Sequence, residues 1–161
     1  MNKYLGLFID DDQKNFESIK RLFSLKNIQL PYENLPQDIN EIYQKVIDQN
    51  VDFVIIDYDL GKQAVKYTGI DVLKNIREQD AEIYIIYLTN KDFVEDHIGE
   101  FDQTVKKKEL AKEIDNVVRR LTRALSRDLS LKNEREIENN YKLQKEYLDE
   151  RIEALKEYLR K

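Results

Sequence analysis

Three adjacent aspartates, Asp10, Asp11 and Asp12, follow directly on the apolar stretch YLGLFI. Like charges repel, so such a cluster is unfavourable unless a cation sits among them. Asp57 ends a second apolar stretch, with Asp59 two residues on. Thr89 ends a third, and Lys106 a fourth, with Lys107 and Lys108 behind it. Carboxylates gathered without sulfur or imidazole suit a hard cation, most simply Mg²⁺, which keeps several of its waters. A carboxylate held beside such an ion can attack phosphorus and form an aspartyl phosphate. The phosphoryl group in transit needs positive charge and donors on its equatorial oxygens, which Mg²⁺, an ammonium and a hydroxyl supply. Asp12 has a simpler reading, as the N-cap of the helix that follows.

For these residues to meet, the elements before them must be parallel strands of one sheet. The runs KYLGLFI (3–9), DFVIID (52–57) and EIYIIYLT (82–89) are nearly continuous in apolar residues. That pattern suits strands covered on both faces. Weaker strands are predicted around Ile28–Leu30 and Phe101–Val105. Between the strands lie helical periodicities: Phe16, Ile19, Leu22 and Phe23; then Ile39, Ile42 and Val46 after Pro36 in a first turn; then Ile70, Val72, Leu73 and Ile76. A short helix over Asp92–Ile98, ending near Gly99, completes the alternation. Strand and helix alternating five times predict an α/β doubly wound five-stranded parallel sheet of the flavodoxin-like kind. Sites in such sheets form at the carboxyl ends of the strands, near the switch point.

From Glu109 onward there is neither Gly nor Pro. Leu110, Ile114, Val117, Leu121 and Leu125 make one apolar stripe, which predicts a last helix packed on the sheet. A second stripe, Leu148, Ile152, Leu155 and Leu159, is spaced like a short heptad seam. Continued backward, that register meets Tyr141 and then Lys145. The tail reads either as one long helix or as two with a break near Asp128–Asn133, and its seam as a surface for self-association or partner docking.

Composition narrows the function classes. The 161 residues contain no cysteine, which excludes disulfides and thiolate metal sites. No window reaches the ~18 apolar residues of a membrane span, and no signal peptide is evident, so a cytoplasmic location is expected. Of 27 basic and 32 acidic residues, 13 and 12 lie in 109–161, leaving a net charge of −6 on residues 1–108. An acidic front argues against nucleic-acid binding there. Arg119, Arg120, Arg123 and Arg127 read as an exposed helix face, and His97, the one histidine, as a surface residue.

The stretches FIDDDQ, VDFVIIDYDLG, TGIDVLKNIR, YIIYLT and TVKK together resemble the receiver domain of two-component response regulators, over about residues 3–126. The resemblance implies that Asp57 is the phosphoacceptor. It implies that Asp11 ligates Mg²⁺ directly, that Asp10 acts mainly through water, and that the Asp59 backbone carbonyl completes the metal site. Thr89 and Lys106 would bind phosphoryl oxygens, with Lys107 the alternative lysine. The phosphodonor would be a histidine kinase or phosphotransfer protein. The chemistry would be limited to self-phosphotransfer and autodephosphorylation, so the chain would be a signalling module rather than an enzyme. The sequence departs from the family at several positions. Lys107 stands where proline is usual after the lysine. Gln103 stands where an aromatic residue is usual three before it. Asn90 replaces the small residue after the threonine. The loop from Asp57 to Gly69 is longer than usual, and the stretch from Thr89 to Lys106 is shorter.

The organisation expected is a receiver-like domain over 1–126 and a helical or coiled-coil tail over 127–161. About 50 highly charged residues after the sheet leave no room within this sequence for a winged-helix DNA-binding domain, so output is expected through contacts with a protein effector or a homodimer formed by the tail. Two other readings fit less of the sequence. One is a non-phosphorylated pseudo-receiver acting as a scaffold. The other is a phosphatase using Asp10 and Asp12 as an Asp-x-Asp pair.

Overall fold

A computed structural model of the chain describes residues 4–31, 34–60, 65–90 and 100–160. The predicted helix Asp92–Ile98, His97 and part of the long loop before Gly69 lie outside the described residues. The chain divides into two compact units, residues 1–121 and 122–161.

The first unit holds a five-stranded, all-parallel sheet. Its strands are β1 (Tyr4–Ile9), β2 (Ile28–Gln29), β3 (Phe53–Asp57), β4 (Tyr84–Thr89) and β5 (Gln103–Lys106), in spatial order β2-β1-β3-β4-β5. The helices between them are α1 (Gln13–Ser24), α2 (Asn40–Asp48) and α3 (Gly69–Gln79). A single 3-10 turn, Lys107–Glu109, leads into α4 (Leu110–Arg160).

Alternation along the strands sorts their side chains to two faces. Leu7, Ile9, Val54, Ile56, Ile85 and Tyr87 form one core with the buried residues of α2 and α3, Ile42, Val46, Val72, Leu73 and Ile76. The opposite parity carries Phe8, Phe53, Ile55, Ile86 and Leu88, all buried. There Phe8 stacks on Phe16 of α1 at 5.6 Å, and Phe53 meets Phe23 at 6.3 Å. The buried stripe of α4 is Leu110, Ile114, Val117 and Leu121.

Two element boundaries differ from the sequence reading. Helix α2 begins at Asn40, not at Pro36, because the Pro36 carbonyl accepts the Tyr67 hydroxyl at 2.6 Å and Asp38 Oδ1 takes the Asn40 N–H at 3.0 Å. Strand β5 begins at Gln103, two residues later than expected, because Phe101 stacks on Tyr87 at 5.4 Å and the Asp102 carboxylate accepts the Ile85 N–H at 2.7 Å. Of the two readings of the tail, one long helix is the one observed: α4 passes through 128–133 without a break. Its residues from 126 onward are all exposed.

Candidate functional site

The register of the sheet puts the acids side by side. Ile9 pairs with Ile56, so the next residues, Asp10 and Asp57, stand opposite each other at the carboxyl ends of β1 and β3. Both are buried, at 5 % and 3 % exposure, where an ionised carboxylate survives only with partners. Asp10 Oδ1 accepts the Asp12 N–H at 3.0 Å, and its Oδ2 accepts the Asn15 side-chain amide at 2.6 Å. Asp57 Oδ1 accepts the Asp59 N–H at 3.0 Å, and its Oδ2 accepts from Lys107 Nζ at 2.6 Å. Lys107 Nζ also lies 4.0 Å from Asp59 Oδ2, and the Asn90 amide donates to that oxygen at 3.3 Å. Asp11 is half-buried beside them.

The cation on Asp57 is therefore supplied by Lys107, one residue after the expected Lys106. Lys106 is the last residue of β5, paired with Thr89 of β4. Lys107 opens the 3-10 turn that follows, and from there its ammonium reaches Asp57. The shift also moves the other family positions: Thr104, not Gln103, stands three before the lysine, and Lys108 follows it. Gln103 is buried, and its amide donates to the Val117 carbonyl in α4 at 3.2 Å.

The remaining site residues follow from local folding. Asp12 caps α1, accepting the Lys14 N–H at 3.0 Å and the Asn15 N–H at 3.4 Å. That cap fixes the first turn of α1, which carries Asn15 to Asp10. Thr89 closes β4, buried, next to Leu88. Helix α3 starts with a capping box between Thr68 and Asp71. Gly69 behind it packs so closely that a Cβ there would lie 2.2 Å from the Asp57 carbonyl oxygen. Asn15 was not singled out in the sequence, since a polar residue in a first turn looks like surface. Its interval of five from Asp10 was the only cue.

Electrostatics at the site are set by burial. Desolvation pushes the Asp10 carboxyl up from 3.8 to about 6, and the neighbouring Asp57 pushes the same way; the Asp12 N–H and the Asn15 amide oppose both. Asp57 and Asp59 share the Lys107 ammonium, and Asp10 stands opposite Asp57, so acids outnumber that cation and favour a further one. Among the described residues no group of three or more His, Cys, Asp or Glu is assembled to enclose a metal ion. The donors present, carboxylates and the Asp59 carbonyl, are of the hard oxygen type that Mg²⁺ takes.

The family model for the response regulator receiver domain matches residues 7–122. Among curated protein sequences none matches the chain. Many solved structures share the fold. The receiver domain of a Francisella response regulator is 24 % identical, with a TM-score of 0.60 over 78 % of this chain and 99 % of that one. The response regulator TrrA from Thermotoga maritima, solved in complex with Mg²⁺ and BeF, is 21 % identical, with a TM-score of 0.59 over 74 % and 99 %. A complex of the histidine kinase ThkA with TrrA gives 21 % identity and a TM-score of 0.59 over 74 % and 98 %.

Proposed function

This chain belongs to the response regulator receiver domain family, and on that premise we propose that it is a signalling protein phosphorylated on Asp57 with the help of Mg²⁺. The observation that carries the reading is the buried Asp57 carboxylate held by Lys107 at 2.6 Å, opposite Asp10. A histidine kinase or phosphotransfer protein is the donor, as the TrrA–ThkA complex illustrates for a protein of the same fold.

In the reaction a carboxylate oxygen of Asp57 attacks the phosphorus of a phosphohistidine. The new O–P bond forms as the P–N bond breaks, and the leaving imidazole takes up a proton. Lys107 holds Asp57 Oδ2 before transfer and then turns its ammonium to a phosphoryl oxygen. Thr89 donates its hydroxyl to another. Asp10, Asp11, Asp57 and the Asp59 carbonyl would hold Mg²⁺. When bound, the ion supplies positive charge against the phosphoryl oxygens. A cation held there would favour the ionised form of Asp10, against the burial that raises its pKa.

Output runs through protein contacts of the receiver surface and the tail, with the boundary between them at 126/127. Incubation with Mg²⁺ and acetyl phosphate is expected to add the mass of one phosphoryl group to the intact protein, and to add nothing to Asp57→Asn. An unmodified wild-type protein that also binds neither Mg²⁺ nor beryllofluoride would favour a scaffold instead.

A further inference from the structure

In α4, Ile137, Tyr141, Leu148, Ile152, Leu155 and Leu159 are each at least 50 % exposed. They fall on one line only if the seam repeats every eleven residues rather than every seven. Ile137, Leu148 and Leu159 are spaced by eleven, and so are Tyr141 and Ile152. Gln144 and Leu155 complete the third row. At 3.67 residues per turn this stripe follows a nearly straight helix. It runs about 33 Å, and a strict heptad would place Lys145 and Glu138 in it instead. An apolar stripe this long on an exposed helix marks an interaction surface.

We propose that its occupant is the same stripe of a second copy, packed antiparallel about Leu148. Antiparallel packing sets Leu148 against Leu148, Gln144 against Ile152, Tyr141 against Leu155 and Ile137 against Leu159. The charges beside the seam select this arrangement. On one flank stand Glu134, Glu138, Lys145, Asp149, Lys156 and Arg160. Antiparallel strands bring like flanks together, and every charge there then meets its opposite: Glu134 with Arg160, Glu138 with Lys156, Lys145 with Asp149, each pair twice. On the other flank Arg151 meets Tyr147 of the second copy, a cation–π pair. Parallel in-register packing would instead join opposite flanks and lose these three pairs. Lys156 bonds Glu153 of its own helix at 3.2 Å, an exposed pair that exchanges readily. The self-complementarity is a property of the tail and does not depend on phosphorylation of Asp57.

Sedimentation equilibrium of the full chain at low salt is expected to show a monomer–dimer equilibrium. Leu148→Glu, which sets two carboxylates face to face on the axis, should abolish it while far-UV circular dichroism stays helical. Glu138→Lys should weaken the dimer by about tenfold through two like-charge contacts, and adding Lys156→Glu should restore it. With no native cysteine, a single spin label at Arg135→Cys reports direction: about 40 Å between labels if antiparallel, from 13 residues on each side of Leu148, and about 25 Å or less if parallel. A monomer at high concentration, a short label distance, or a double variant no tighter than Glu138→Lys would each overturn the proposal.

Discussion

Lys107 and Asp57 hold each other in a buried pair, with side-chain exposures of 17 % and 4 %. Removing one partner strands the other. Lys107→Ala leaves the Asp57 carboxylate without its cation, and a loss of about 2–3 kcal/mol is expected, somewhat below the cost of breaking a fully buried pair because the lysine reaches solvent. In an Asp57→Asn background the same substitution should cost under about 1 kcal/mol, since no charge is then left unpaired. Urea unfolding of the four proteins measures the coupling, and equal costs in both backgrounds would show that Lys107 acts elsewhere. The acids and the hydroxyl were legible from residue type at strand ends. The identity of the lysine was not, because three lysines in a row offer the same chemistry and only the place where β5 gives way to the 3-10 turn separates them.

Helix α3 and strand β3 approach each other at Gly69, with no room for a side chain against the Asp57 carbonyl. Gly69→Ala is expected to destabilise the protein by about 2 kcal/mol or more, since the obstacle is backbone rather than a movable side chain. It should also slow phosphorylation by acetyl phosphate by displacing the end of β3. A thermal melt and a rate in the same preparation test both; an unchanged melting temperature would mean that α3 can shift without cost. Helix α3 was readable from Ile70, Val72, Leu73 and Ile76 at helical spacing, and a capping box between Thr68 and Asp71 starts it. The starts of α2 and β5 were not. Each is set by a distant group: Tyr67 claims the Pro36 carbonyl, and Asp102 is shared between the Ile85 N–H and Arg77, 3.0 Å away. Arg77 also ties down the Glu100 carbonyl at 2.6 Å and the Ile83 carbonyl at 2.7 Å, a strap that local sequence gave no sign of.

At the scale of the whole molecule, burial ends partway along α4. Leu121 is buried, Leu125 is half-buried, and residues 126–160 are exposed. Deleting residues 127–161 is therefore expected to change the stability of the sheet domain by no more than about 0.5 kcal/mol and to leave Asp57 phosphorylatable. Loss of cooperative unfolding in the shortened chain would move the domain boundary past 126. Among the described residues no helix is long and apolar enough to cross a membrane. Among the described residues the order of strands and helices was legible in the sequence, because apolar runs and helical periodicities are local and each must bury its apolar side. So was the presence of acids at the strand ends, where a sheet of this kind builds its sites. Tertiary structure decided what a single-residue slip changes: that Lys107 and not Lys106 reaches Asp57, and that Asn15 turns to Asp10. Both depend on where β5 ends and α1 begins in space, and those positions are set by pairing and packing between segments far apart in the chain.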